Sequence, residues 1–285
     1  MPHHQVVERD HTTPEPVDLY VELGEGRVHV TATGAGHSSV RVTGHDADQA
    51  VVELADDRVT VVGPRRRAGF LGGERSLLVE VEVPPDSRVV VRTGSADVVL
   101  DGRAGPAQLR TGSGDVRVEE LAGPATVETG SGRVEVEEAR GELRVKSGSG
   151  DVRLGHAASS AAVSTGSGGV SVGSNDGPVA VKTGSGDLAV GEARTDVTLA
   201  TGSGDLRIGA ALRGRVTVKG ASGHVLVGVR PGTPVWTDVS TVSGAIRSDL
   251  PSTGAPRPGQ DHVELRARTV SGDVVLAPAA VPSPA

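Results

Sequence analysis

A five-residue motif recurs through the middle of the chain with a constant period of 18 residues. Seven copies, reading TGSAD, TGSGD, TGSGR, SGSGD, TGSGG, TGSGD and TGSGD, begin at Thr93, Thr111, Thr129, Ser147, Thr165, Thr183 and Thr201. Degenerate copies follow at wider spacing and begin at Gly220, Thr241 and Thr269. A fixed period of this length is typical of repeat proteins in which each unit stacks on its neighbours.

Each repeat contains two short strands and two turns. In the unit 115–132, apolar and polar residues alternate over Val116–Glu119 and again over Ala125–Thr129, which is the period of a strand with one buried face. Gly123-Pro124 predicts one corner, and Gly130–Gly132 predicts the other, with glycine at positive φ. A strand pair this short cannot bury its apolar face alone, so the units must stack.

The repeat therefore predicts an all-β fold, a flattened single-stranded β-solenoid with 18-residue coils, two strands per coil and irregular N- and C-terminal caps. Outward positions support the alignment, because Arg110, Glu128 and Lys146 share one column with alternating charge. We expect the single tryptophan, Trp236, in the core of the C-terminal cap. By range, we predict a flexible N-terminal tail over 1–16, an irregular cap and first coils over 17–92, regular coils over 93–209, irregular coils and a cap over 210–276, and a disordered tail over 277–285.

Composition excludes several classes of function. The 285 residues include no cysteine and three aromatic residues, and the net charge is −7. Without cysteine there are no disulfides or thiolate metal sites, and an acidic chain with so few aromatic rings is not a nucleic-acid-binding protein. The first ten residues lack the apolar stretch of a secretory signal, and no apolar run has the length of a membrane helix, so we expect a cytoplasmic protein without stable membrane insertion.

The Gly-Ser-Gly turns resemble the turn that presents a nucleophilic serine. The hydrolase pattern is G-x-S-x-G before a helix, whereas Ser113 and its counterparts precede strands, and a partner base could come from only two coils, at His156 and His224. We predict that these serines are structural and that the chain is not an enzyme.

The aspartates that follow the glycine turns raise the hypothesis of a calcium-binding β-roll. Eighteen residues are twice the nine-residue period of that fold, and like charges stacked in neighbouring coils would favour a cation. The alternative interpretation is that each aspartate forms a hydrogen bond with the turn backbone. We favour this alternative and expect no metal or other cofactor. The candidate positions are the pairs Asp97/Asp115 and Asp187/Asp205, and, in a separate loop, His45, Asp46 and Asp48.

One stretch differs from the rest of the chain in composition. Three arginines, Arg65, Arg66 and Arg67, are followed by Phe70 and Leu71 between two predicted strands. A cationic root with an apolar tip suits a contact with an acidic partner or an anionic membrane surface, where it would give only weak, reversible attachment. The alternative is a cap loop that folds back onto the first coil.

Three features together resemble a known family. These are the Thr-Gly-Ser-Gly-Asp-Val-x-Val array, the opening VDLYVELG at 17–24 and the closing VELRART at 263–269. They are similar to the bacterial β-strand-repeat family of adhesin-type domains, whose function is unknown and which is common in actinobacteria. The resemblance extends over about residues 17–277 and implies a β-solenoid with no established biochemical activity.

These observations favour a non-catalytic, adhesin-like scaffold or protein-interaction module whose partner is unidentified. Two alternatives stay open: a calcium-binding β-roll and a carbohydrate-active β-helix enzyme. The enzyme would need convergent carboxylates and aromatic platforms for sugar rings, which the coils scarcely supply. We favour a monomer, although exposed strand edges at the ends allow end-to-end association.

Overall fold

The computed structural model describes residues 5–32, 34, 36–64, 76–251, 254 and 256–279. Within these ranges it contains 27 strands and one short 3-10 helix, Ala47–Gln49. The chain divides into two units, residues 1–143 and 144–285, and each contains strands of two sheets. No helix in the described ranges is long and apolar enough to cross a lipid bilayer. The all-β solenoid predicted from the repeat is confirmed.

The first unit has seven strands in its first sheet. Their spatial order is β1-β4-β7-β3-β9-β11-β13. The pairs β1–β4 and β4–β7 are antiparallel, and the other neighbours are parallel. The strands are β1 (Gln5–Thr12), β3 (Gly26–Ala32), β4 (His37–Gly44), β7 (Leu77–Val83), β9 (Asp97–Ala104), β11 (Val116–Leu121) and β13 (Val134–Ala139).

The second sheet of this unit has the order β5-β6-β2-β8-β10-β12. Only the pair β5–β6 is antiparallel. The strands are β2 (Asp18–Leu23), β5 (Val51–Ala55), β6 (Arg58–Val62), β8 (Arg88–Thr93), β10 (Ala107–Thr111) and β12 (Ala125–Thr129). The coil formed by β2 and β3 lies between β6–β7 and β8–β9, so spatial order departs from chain order here.

The second unit also has strands in two sheets, and its pairs from β15–β17 and β16–β18 outward are parallel. The first sheet has the order β15-β17-β19-β21-β23-β27-β25, and the second has the order β14-β16-β18-β20-β22-β26-β24. The last strand pair, β26–β27, is inserted between β22–β23 and the outermost coil, β24–β25. The strands are β14 (Leu143–Ser147), β15 (Val152–Ala157), β16 (Ala161–Thr165), β17 (Val170–Asn175), β18 (Val179–Thr183), β19 (Leu188–Ala193), β20 (Val197–Ser203), β21 (Leu206–Ala211), β22 (Gly214–Ser222), β23 (Val225–Val229), β24 (Val235–Ser243), β25 (Ile246–Ser248), β26 (Val263–Ser271) and β27 (Val274–Pro278).

The core consists of columns of small apolar side chains between the two sheets. Val116 pairs in register with Val134, and Val118 pairs with Val136, and all four are buried. Period-2 alternation places every second residue of a strand on the inner face, and an 18-residue coil repeats the same side chain at each level. This arrangement confirms the prediction that stacked units bury the apolar faces of their strands.

The N-terminal segment differs from the sequence prediction of a flexible tail. Gln5–Thr12 forms β1, which pairs antiparallel with β4 and is joined to it by an ion pair of 2.9 Å between Glu8 and Arg41. This strand is exposed along most of its length, so it carries no apolar period from which a strand could be predicted. At the other end, β27 reaches Pro278, two residues into the predicted tail.

Trp236 is not in the core of a cap, contrary to the prediction. It lies on the outward face of β24 and is 48% exposed, with the guanidinium of Arg266 5.6 Å from the centre of its ring. The neighbouring Val235 and Val239 occupy the inward positions instead, in register with the buried Val263 and Ala267.

Candidate functional site

The threonine of the repeated motif closes the turn that follows it. The hydroxyl oxygen of Thr111 accepts a hydrogen bond of 2.9 Å from the N–H of Gly114. The same bond joins Thr129 to Gly132, Thr165 to Gly168 and Thr183 to Gly186, at 2.8–3.0 Å. Since the side chain replaces a missing backbone partner in the turn, the threonine has a structural role.

The turn glycines are required by close approach between coils. A Cβ at Gly112 would lie 2.5 Å from the carbonyl oxygen of Gly94, and one at Gly114 would lie 2.0 Å from that of Ala96. The prediction of positive φ at Gly130–Gly132 is wrong, because neither glycine of that turn has a positive φ. Glycine is needed there so that one turn can stack directly on the carbonyl group of the turn beneath it.

The aspartate of the motif binds the backbone of the next coil. A side-chain oxygen of Asp97 accepts a hydrogen bond of 3.0 Å from the N–H of Asp115, and one of Asp187 accepts 2.8 Å from that of Asp205. Bonds of 2.7–2.9 Å repeat this arrangement at Asp115, Asp151 and Asp205. The bond to an amide offsets the repulsion between stacked carboxylates. The interpretation that aspartate binds turn backbone is confirmed, with the turn belonging to the neighbouring coil.

The loop with His45, Asp46 and Asp48 is also held by internal bonds. The Asp46 side chain is largely buried, and its oxygen accepts a hydrogen bond of 3.0 Å from the Gln49 amide. Across the ranges that the structure describes, no group of three or more His, Asp or Glu side chains is placed to hold a metal ion.

Sequence reasoning missed one polar cluster on the outward face of the second unit. His156 Nδ1 lies 2.9 Å from the Ser174 hydroxyl, and His156 Nε2 lies 3.4 Å from Asp176. The histidine–aspartate separation is longer than a nucleophilic triad requires, and the Asp176 carboxylate is shared with Arg194 at 3.3 Å. Adding 18 to residue 156 would have identified the serine. We assign the cluster a structural role in coil stacking.

The predicted partner-binding residues Arg65, Arg66, Arg67, Phe70 and Leu71 lie outside the described residues. The chain leaves β6 at Gly63, whose N–H donates a 2.8 Å hydrogen bond to the Glu22 carbonyl. Beside it, the Tyr20 hydroxyl donates to the Glu22 carboxylate at 2.6 Å, and the Arg92 guanidinium lies 5.9 Å from the centre of the Tyr20 ring. The bond to Glu22 raises the pKa of Tyr20, so this hydroxyl stays protonated.

The same face of the first unit carries further cations. By strand register, Asp18 lies between Arg58 and Arg88. These residues and Tyr20 line a shallow groove of about 270 Å³. Two arginines flank one aspartate, so the net charge of the groove is positive.

A second cationic groove lies on the second unit and has a volume of about 450 Å³. Its arginines are Arg194, Arg213 and Arg230. Arg194 is bonded to Glu192 and Asp176, which raises its pKa, and Arg213 lies 3.8 Å from Asp261. Carboxylates therefore neutralise most of this groove, which makes it the weaker candidate for an anionic partner.

A comparison with solved structures finds matches that cover nearly the whole chain at low sequence identity. A "putative adhesin" from Bacteroides fragilis is 14% identical, with 96% of this chain and 98% of that chain covered and a TM-score of 0.38. A "putative adhesin" from Parabacteroides merdae is 13% identical, with 95% and 96% covered and a TM-score of 0.35. A "putative lipid binding protein" from Parabacteroides distasonis is 14% identical, with 96% and 94% covered and a TM-score of 0.35. No curated protein matches the chain.

A family profile accounts for nearly the whole chain. It matches residues 18–277, from the first residue of β2 to the penultimate residue of β27. The match includes the 18-residue array and both inserted strand pairs. The chain belongs to the Toastrack DUF4097 family.

Proposed function

We propose that the chain is a non-catalytic β-solenoid that presents its outer surface to a protein partner. The observation that carries this proposal is the use of the repeated polar residues. Thr111 closes its turn, Gly114 permits close stacking, and Asp97 holds the amide of the next coil. The repeat builds the stack, which leaves the side chains that vary between coils for recognition.

The preferred contact surface is the cationic face of the first unit, together with the segment 65–71 that follows β6 in the sequence. Arg58, Arg88 and Arg92 lie on this face, and the next residues along the chain include three arginines, a phenylalanine and a leucine. Charge of one sign beside apolar groups suits an acidic segment of a protein that also carries hydrophobic side chains. We therefore propose an acidic protein as the partner.

The test compares capture of partners from the native cells by the wild-type chain and by two triple variants. The first replaces Arg65, Arg66 and Arg67 with serine. The control makes the same change at three exposed arginines of the second unit, Arg153, Arg207 and Arg268. We expect one acidic protein to be lost with the first variant and kept with the control. Equal capture by all three chains, or equal loss with both variants, would reject segment 65–71 as the contact site.

The alternatives have weaker support. Each repeat aspartate examined above already accepts a backbone hydrogen bond, and Tyr20 and Trp236 carry arginine side chains against their rings, so neither a calcium roll nor a sugar platform is favoured. The cytoplasmic location and the actinobacterial type stay predictions from the sequence.

A further inference from the structure

The outermost coil of the second unit leaves inward-facing side chains uncovered. Ile246 of β25 is in register with Val274, yet Ile246 is 54% exposed whereas Val274 is buried. On β24, Thr237 and Val239 are in register with the buried Leu265 and Ala267 and are themselves partly or fully exposed. The core of this unit therefore ends in an open apolar face bordered by two strand edges.

The outermost coil of the first unit is closed. Its inward residues Val61 and Val81 are at most 1% exposed. Strands β1 and β5 lie outside this coil, and His11 of β1 reaches Asp56, next to β5, at 3.1 Å. Polar side chains thus bridge the two sheets here, so this face cannot receive the open face described above.

We propose that the open face of the second unit binds a second copy of this chain, in a two-fold dimer that joins β24 to β24 and β25 to β25. A two-fold axis perpendicular to the sheets brings each edge strand against its own copy in the antiparallel direction. Because the outermost coil of the second unit is open and that of the first unit is closed, the assembly stops at two copies. This inference is independent of the proposed contact with an acidic partner.

The backbone of β24 permits this pairing. The Pro234 carbonyl accepts a 3.0 Å hydrogen bond from Val263 of β26, and successive residues of a strand direct their backbone groups to opposite edges. Residues 235, 237, 239 and 241 therefore direct theirs to the free edge, whereas the Ser243 carbonyl accepts a 3.2 Å hydrogen bond from Gly272 on the inner side. A two-fold axis at Val239 places Thr237 opposite Thr241 and Val239 opposite Val239 of the second copy, so the donors and acceptors of these residues form hydrogen-bonded pairs.

The side chains of β24 are self-complementary about Val239. Trp236 comes to lie opposite Val242 of the second copy, which joins two of the large exposed apolar residues, 48% and 83% exposed in the single chain. Aromatic and β-branched residues form favourable cross-strand pairs. Asp238 lies opposite Ser240, whereas moving the axis by one residue to Asp238 would place two aspartates opposite each other. The charges therefore select the register.

The same axis gives a complementary register in β25. The inward residues next to the turn 242–245 are Thr241 on one side and Ile246 on the other. The next inward residue of each strand is two positions further from the turn, so Val239 of β24 and Ser248 of β25 face each other across the core. An axis through Ser248 places Arg247 opposite Asp249 of the second copy, twice by symmetry. It also places Ile246 opposite Leu250, which covers the exposed end of the core.

The size of the face sets the expected affinity. A nine-residue strand is about 30 Å long, and two sheets about 10 Å apart with their outer side chains are about 20 Å thick. Each copy would thus bury about 600 Å², which gives a total at the lower limit for a specific interface. A dissociation constant in the micromolar range is expected, so the equilibrium should be visible at ordinary protein concentrations.

The first experiment measures mass and fluorescence of the full chain against concentration. Sedimentation should show the mass rising from 28.8 kDa to twice that value and no further. The only tryptophan, Trp236, lies in the interface, so its emission should move to shorter wavelength over the same range. A monomer at every concentration up to about ten times the expected micromolar constant, or a series of larger oligomers, would overturn the proposal.

The second experiment exchanges the charges of β25. Arg247→Asp and Asp249→Arg should each weaken the dimer at least ten-fold, because each creates two like-charge pairs. An equimolar mixture of the two variants should recover a heterodimer of near wild-type affinity, since both cross-strand pairs again have opposite charge. The control, Arg207→Asp, changes the same outward column at an inner coil and should dimerise as wild type.

Circular dichroism of each variant establishes that it is folded. If both single variants dimerise with wild-type affinity, the assigned register is overturned. It is also overturned if the equimolar mixture does not recover the dimer.

Discussion

Gly168→Ala tests whether glycine is needed for close stacking of turns. An added Cβ would lie 2.2 Å from the carbonyl oxygen of Gly150, whereas real contacts of this kind are at least 3.0 Å long. The two turns must therefore separate by roughly 1 Å. That shift breaks the two bonds that join the coils here, from Gly169 N–H to Asp151 and from Val152 N–H to the Gly169 carbonyl, both now 2.9 Å long. At about 1 kcal/mol each, the expected loss in the free energy of unfolding is about 2 kcal/mol.

The matched control is the adjacent residue. A Cβ at Gly169 would lie 3.6 Å from its nearest neighbour, an oxygen of Asp151, so Gly169→Ala should be neutral or should stabilise by about 0.4–1 kcal/mol through the unfolded chain. Urea unfolding followed by far-ultraviolet circular dichroism measures both variants. A loss below about 0.5 kcal/mol for Gly168→Ala, or equal effects at the two positions, would refute the stacking explanation.

Three further outcomes follow from the coil geometry. Deleting one 18-residue coil, 169–186, should leave a folded β protein, because the flanking coils present the same columns; loss of the β spectrum would contradict the stack. Adding calcium should leave the spectrum and melting midpoint unchanged, since the repeat aspartates hold amides, and calcium-dependent stabilisation would argue for the β-roll. The bond from Arg215, helped by Arg266, holds the pKa of Glu264 below its ordinary value, so its stabilisation is present above the ordinary pKa and lost as pH falls through the lowered one. The stability difference between wild type and Glu264→Gln should therefore shrink from about pH 7 to about pH 3; a constant difference would exclude this role.

The regular coils were predictable because each strand there pairs with the equivalent strand 18 residues away. Alternation identifies the inward residues, and the period identifies their neighbours, as for Val118 and Val136. The role of the repeat aspartates also followed from local turn chemistry, although their bonds reach one coil further. Because the sequence repeats, contacts between residues 18 positions apart can be predicted from the pattern within one repeat.

The ends were harder to predict because their neighbours are distant in sequence. Nothing in the composition of β26 indicates that it lies between β22 and β24, since any coil edge offers the same backbone donors and acceptors. Trp236 was placed in the core because large apolar residues are usually buried. Successive residues of a strand face opposite sides of the sheet, and the register with β26 makes Val235 and Thr237 the inward residues, so Trp236 faces outward. The exposed strand β1 carries no apolar period at all.

The insertion of β26–β27 makes the order of synthesis matter for folding. The outer coil 235–248 leaves the ribosome before the strands that attach it to the rest of its unit. Until residues 263–278 emerge, the edges of β22 and β23 remain unpaired and the outer coil has no neighbour. Truncation after residue 262 would thus remove an interior layer and release a second one, so a late stop codon should damage two layers of this unit.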